Sequence, residues 1–296
     1  MAKDKTQPRA DLAARREAQQ RAAREAAAKR RRRLIINWLI ALIIVGLAAG
    51  GVVGVVAHVR SEARKLSVSG PSSVQPQTPP NATRDGLAVL ANPGVTIPAD
   101  APVVDLYLDY QNSLSVQVMQ FYGAAFSDLA SQGKIELRYH FMTGQDQTLG
   151  NTASARATIA TICADTVGKF VPYSQAVFTA APLNAASGAV TFTDTQLQTT
   201  FPATAGITGD DLTKFRSCYA GRATSAFVVT MNTKNQTTPV PTNTTYTAGV
   251  STTPVVLADS KTVDITSDLY SQTVSTADPA ALLTLLTNAA NGTTTS

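Results

Sequence analysis

Three hydrophobic patterns follow one another along the chain. From Leu34 to Val59 apolar residues run almost unbroken for 26 positions, with Asn37 and His58 the strongly polar exceptions near either end. As a helix this run would span about 39 Å, enough to cross a hydrocarbon core of roughly 30 Å. Trp38 stands at interfacial depth, so the pattern predicts a single transmembrane helix over 34–59. Gly46, Gly50 and Gly54 recur every fourth residue and share one face of that helix. Small residues there let a second helix approach closely, a surface for a membrane protein partner or for a homo-oligomer.

Residues 60–99 change character. The stretch from Ser67 to Asn92 is dense in Ser, Pro and Gln. It buries too little apolar surface to hold a fold and is expected to be a linker and lead-in.

From residue 100 the pattern becomes that of a folded domain reaching 296. Val103–Tyr110 is a short apolar run and predicts a buried strand. Ser113 fits a helix N-cap, and Val116, Met119, Tyr122, Phe126 and Leu129 form the stripe of a helix ending near Gly133. Lys134–Met142 alternates as a second strand, which makes a βαβ unit with a parallel pair. Residues 151–236 carry helical patterns only, around Ala153–Val167, Lys169–Thr179, Asp194–Phe201, Asp210–Ala220 and Ala223–Asn235. Pro239–Thr247 is extended and polar. Thr253–Leu257 and Lys261–Ile265 then predict a strand pair around an Asp259-Ser260 turn. Asp278–Ala290, with Pro279 in its first turn, predicts a terminal helix. The expected class is α/β, with a helical insertion at about 151–236.

Composition and charge sharpen this picture. The 296 residues are 44% hydrophobic and 15% charged, which excludes full disorder, and two cysteines exclude a disulfide-dense mini-protein. The net charge of +5 is an average over unlike parts. Residues 1–33 hold 12 Lys and Arg against 4 Asp and Glu, while residues 60–296 hold 13 against 16. The basic leader, ending in Lys29–Arg33, predicts a cytoplasmic N-terminus on a single-pass membrane protein, and the Ala- and Thr-heavy, Lys-poor usage points to a bacterial cell membrane. It would touch the anionic headgroups of the bilayer. The outer excess of acid argues against a nucleic-acid partner. A cleaved signal peptide fits poorly, because the leader and the apolar run are both too long. Four glycosylation sequons are expected by chance in a chain this rich in Thr.

Asp109-Tyr110-Gln111 at the end of the first strand, and Gly249-Val250-Ser251-Thr252-Thr253-Pro254 before the late strand pair, carry a resemblance. In this order and spacing the chain resembles membrane-anchored bacterial members of the DsbA-like thioredoxin-fold family, over about residues 85–291. The resemblance implies a thioredoxin-like fold and a cis-proline at Pro254 facing the start of the first helix. It also implies Cys-X-X-Cys directly after Gln111, where this sequence has Asn112-Ser113-Leu114-Ser115. A hydroxyl cannot form a mixed disulfide, so these four are degenerate positions with no catalytic residue among them. A hydrolytic serine would need a positioned base, and the two histidines, His58 and His140, offer no such arrangement.

The resemblance allows a structural disulfide between insertion helices at about the places of Cys163 and Cys218, with a reactive pair as the alternative. Two cysteines and a distant histidine do not make a metal site, and no cofactor is expected. If the family's peptide-binding edge persists, it comprises Asn112, Ser115, Thr253 and Pro254, with an extended peptide adding as a strand. The expected function is therefore a membrane-anchored, redox-inactive binding domain. It would engage an extracytoplasmic protein or serve as accessory subunit of a membrane complex. The alternatives are a DsbA-type thiol–disulfide oxidoreductase or isomerase using Cys163 and Cys218, and a passive structural protein of the cell envelope.

Overall fold

The computed structural model describes residues 75–182, 192–265 and 277–292. The basic leader, the apolar run 34–59 and Gly46, Gly50 and Gly54 lie outside the described residues. Among the described residues, no helix is long and apolar enough to cross a membrane.

Five strands form one mixed sheet. They are β1 (Val89–Leu90), β2 (Val103–Leu108), β3 (Glu136–Phe141), β4 (Val255–Ala258) and β5 (Lys261–Thr262), in the spatial order β1-β3-β2-β4-β5. The expected parallel pair is present, with β2 and β3 in register from Val103 opposite Glu136 to Leu108 opposite Phe141. The remaining pairings are antiparallel. Period-two alternation divides the side chains between two faces. Val104, Leu106 and Leu108 of β2, Leu137, Tyr139 and Phe141 of β3, and Val256 and Ala258 of β4 enter the main core. Tyr107, Val255 and Leu257 turn the other way and pack with Met142, Val240 and Val250 in a smaller cluster.

Helix α1 (Ser113–Ser131) lays its stripe of Val116, Met119, Tyr122, Phe126 and Leu129 into the main core. Each fully buried Leu or Phe of this kind contributes about 1.5–3 kcal/mol. The insertion begins with the short α2 (Gly144–Leu149), which has no signature in the hydrophobic pattern. It continues through α3 (Ala153–Asp165), α4 (Phe170–Ala180), a π-helical turn Gln196–Thr200 leading into α5 (Phe201–Thr204), α6 (Gly209–Ala220) and α7 (Ser225–Thr237). The terminal α8 (Pro279–Ala290) starts at Asp278, whose carboxylate accepts from the Ala280 N–H at 3.1 Å, and it buries Leu282 and Leu286. Asp259 and Ser260 connect β4 to β5 with both φ positive, at 46° and 65°, the geometry of the tight turn the sequence predicts there.

The expected linker over 60–99 is folded in its described part. Pro79, Ala88, Val89 and Asn92 are buried, and β1 adds antiparallel to β3, with Val89 opposite Tyr139. Asn92 explains why a polar segment can do this. Its amide donates to the Ala130 and Ile135 carbonyls at 3.0 Å and accepts from the Leu137 N–H at 3.3 Å. A two-residue strand is too short to leave a periodic signal, and side-chain hydrogen bonds replace apolar area in holding the segment.

Candidate functional site

The C-terminal end of β2 brings together most residues marked out by the sequence. Asn112, rather than the expected Ser113, caps α1: its side chain accepts from the Ser115 N–H at 2.9 Å with its own backbone extended. Asn is among the strongest N-caps, and its oxygen reaches the third residue on. Ser113 is exposed, Leu114 is half-buried, and Ser115 is fully buried, its hydroxyl accepting from the Asp109 N–H at 3.3 Å. The Thr253–Pro254 bond is cis. Val255 pairs with Tyr107, so the antiparallel register sets Pro254 and Thr253 level with Leu108 and Asp109 at the end of β2.

Asp109-Tyr110-Gln111 turns out to tie the insertion to the sheet. The fully buried Asp109 carboxylate accepts from Gln111 N–H at 2.9 Å, Gln145 N–H at 3.0 Å and the Ser154 hydroxyl at 2.5 Å. Burial pushes its pKa up to about 6, with these hydrogen bonds offsetting part of the rise. Gln111 donates to Asp146, Asn151 and Ser154 and accepts from Asn151. The Asp146 carboxylate in turn accepts from the Ser154 and Ala155 N–H groups, which satisfies the first turn of α3. Tyr110 inserts its ring between Phe141 and Phe178, and its hydroxyl bonds Thr161 and Ser174 of α3 and α4.

His140 forms a second polar pair. Its Nε2 lies 2.8 Å from Asp105 and its Nδ1 lies 3.1 Å from the Asn235 side-chain oxygen, while its ring stacks on Tyr107 at 4.1 Å. Both nitrogens are thus engaged, and neither is left to activate a serine. Among the described residues no group of three or more His, Cys, Asp or Glu is placed to hold a metal.

Cys163 of α3 and Cys218 of α6 form a disulfide, with Cα atoms 5.8 Å apart. It is not at the Asn112–Ser115 end. Ser154 touches Asp109, and Cys163 lies nine residues further along the same helix, a distance of about 13 Å. The two halves of the disulfide have unlike surroundings. Cys163 is fully buried, its sulfur 3.6 Å from the buried Thr224 hydroxyl, which also lies 3.2 Å from the Ile159 carbonyl. Cys218 keeps 5% exposure and lines a surface cavity of about 460 Å³ with Gln77, Thr166, Thr213, Lys214 and Ser217. Lys214 is one turn before Cys218 on the same face of α6. Gln77 and Thr166 join the four α6 residues from distant segments, which no sequence spacing announces.

A mixed sheet around one parallel pair, a helical insertion and a cis-proline directly before β4 define a DsbA-like thioredoxin fold. Among solved structures, the chain is similar to the MdbA protein of Actinomyces oris, a thiol–disulfide oxidoreductase. The two are 16% identical, 74% of this chain and 97% of that chain are covered, and the TM-score is 0.51. The MdbA protein of Corynebacterium diphtheriae, also a thiol–disulfide oxidoreductase, matches at 14% identity over 67% of this chain and 95% of its own, with a TM-score of 0.48. No protein-family model matches the chain, and no curated protein does. The expectation of a redox-inactive binding domain or accessory subunit is corrected here. The similar structure from Actinomyces oris is that of a thiol–disulfide oxidoreductase, and Cys163 and Cys218 of this chain are joined in a disulfide.

Proposed function

We propose that the chain is a thiol–disulfide oxidoreductase whose redox couple is Cys163–Cys218. The observation that carries this reading is a disulfide with one half, Cys218, in the wall of a surface cavity beside Lys214. In thiol–disulfide exchange a thiolate attacks one sulfur and displaces the other, and a cavity wall with a nearby ammonium gives an anionic thiolate both room and attraction. The fold is one that solved oxidoreductases use. The substrates would be cysteine-bearing polypeptides outside the cytoplasm, where disulfides persist. The apolar run 34–59, behind five consecutive basic residues, supports tethering of the domain to the bacterial cell membrane from the outer side.

Insulin reduction by the detergent-purified full chain, with a dithiol reductant supplied to regenerate it, tests the proposal. Catalysis above the reductant alone is expected, and Cys163→Ser or Cys218→Ser should lower it at least about tenfold. A folded wild-type protein that does not accelerate the reaction would overturn the reading.

A further inference from the structure

Resting on that reading, we infer that exchange at this couple is directional: Cys218 is the sulfur that meets the substrate, Cys163 is the one that leaves, and Thr224 is the positioning residue that receives the leaving thiolate. The two sulfurs differ in what surrounds them. Cys163 has no exposure, whereas Cys218 faces the cavity walled by Thr166, Thr213, Lys214 and Ser217. A substrate thiolate entering this space reaches Cys218 first. Its lone pair forms a bond to the Cys218 sulfur as the Cys218–Cys163 bond breaks, and the electron pair of that bond stays on Cys163. A second thiolate of the same substrate then attacks the substrate sulfur of the mixed disulfide. The substrate leaves oxidised, and Cys218 keeps the second electron pair. Two electrons pass from substrate to couple, and the two protein thiolates take up the protons that the substrate thiols gave.

The displaced Cys163 thiolate would be a buried charge, which is costly without a donor. Thr224 supplies one. Its hydroxyl stands between the Cys163 sulfur at 3.6 Å and the Ile159 carbonyl at 3.2 Å, and it carries one proton to give. A disulfide sulfur is a weak acceptor, so in the oxidised form that proton goes to the carbonyl. A thiolate is a far stronger acceptor, and the same hydroxyl reaches it by rotating about one bond. The Ile159 carbonyl loses little, because it stands within α3 and accepts along the helix as well. Lys214 acts at the other sulfur by drawing anionic thiolates toward Cys218; its ammonium is exposed and pairs with Asp211 at 3.2 Å.

The test uses the full chain in detergent and a chromogenic aromatic disulfide as probe. Cys163→Ser, which leaves Cys218, should form the mixed disulfide at least about tenfold faster than Cys218→Ser, which leaves Cys163. Equal rates, or a faster Cys163, would overturn the polarity. Both variants lose the cross-link, so the reduced wild-type protein is also given a sub-stoichiometric alkylating reagent and peptide-mapped. Label mainly on Cys218 is the expected result, and label mainly on Cys163 overturns the inference. For Thr224, the pH profile of Cys163 alkylation is measured in a Cys218→Ser background. Thr224→Val should move the profile to higher pH, with the reaction at neutral pH slower by about tenfold, and Thr224→Ser should restore it. A profile that Thr224→Val leaves in place removes Thr224 from the proposal. The outcomes separate the two claims. Absent insulin turnover overturns the oxidoreductase reading, whereas turnover that proceeds through Cys163 as the modified sulfur overturns only the direction.

Discussion

Asp109 shows how one buried side chain ties the domain to pH. Its three donors come from the turn after β2, from the start of α2 and from α3, so the carboxyl group joins three elements. Burial outweighs those donors and raises its pKa from 3.8 to about 6. Between these values the folded protein keeps a proton that the unfolded chain has released. The stability contributed by this group is therefore fully present below about pH 4 and is lost as pH rises toward 6, by about 3 kcal/mol in all. Asp109→Asn removes the titration. In urea unfolding at pH 4 and pH 7, the variant should gain on the wild type by up to about 3 kcal/mol at the higher pH, and a constant difference would contradict the assignment. The sequence marks Asp109, Tyr110 and Gln111 by their place before Asn112, but their work lies in long-range hydrogen bonds to Ser154, Thr161 and Ser174. A single sequence does not display which distant hydroxyls a residue will meet, so the motif was legible while its role was not.

Among the elements, those with long or strongly periodic patterns were readable. The β2-α1-β3 unit, the helices of the insertion, the strand pair β4–β5 and the terminal α8 stand close to their expected places. What was not readable is short or held by polar contacts: β1, α2 and the cap at Asn112. The segment before cis-Pro254 is a tightly constrained piece of backbone. Gly249 has φ +110°, and a Cβ there would stand 2.5 Å from the Gln236 carbonyl carbon and 2.7 Å from the Asn235 oxygen. The neighbouring Val250 N–H donates to that same Asn235 oxygen at 2.7 Å, so the backbone cannot simply withdraw. Gly249→Ala combines an unfavourable left-side conformation with a main-chain clash and should cost about 3 kcal/mol. Chemical denaturation checks this, and a loss below about 1 kcal/mol would show that the α7–β4 connection gives way more easily than its geometry indicates.

At the scale of the whole molecule, the cross-link closes 55 positions of chain and joins two helices of the insertion. By limiting the unfolded ensemble, a loop of that size stabilises by about 4 kcal/mol. Replacing both cysteines by alanine should shift the unfolding free energy measured in urea by about that amount. A shift near zero would mean that packing around α3 and α6 holds the insertion by itself. The pairing was legible through family resemblance, whereas the unlike surroundings of the two sulfurs were not, since Gln77, Thr166 and Thr213–Cys218 converge only in three dimensions.

The same region also decides how the domain meets mechanical load. Where the described chain enters the domain, the Gln77 N–H bonds the Ala223 carbonyl at 2.8 Å, five residues after Cys218. Asn81 grips Asp165 through two hydrogen bonds, two residues after Cys163. A pull on the N-terminal side is thus delivered to α3 and to the α6–α7 junction together, and a covalent bond already spans these two helices. Oxidised, the pair resists as one body; reduced, the same pull can peel one helix from the other.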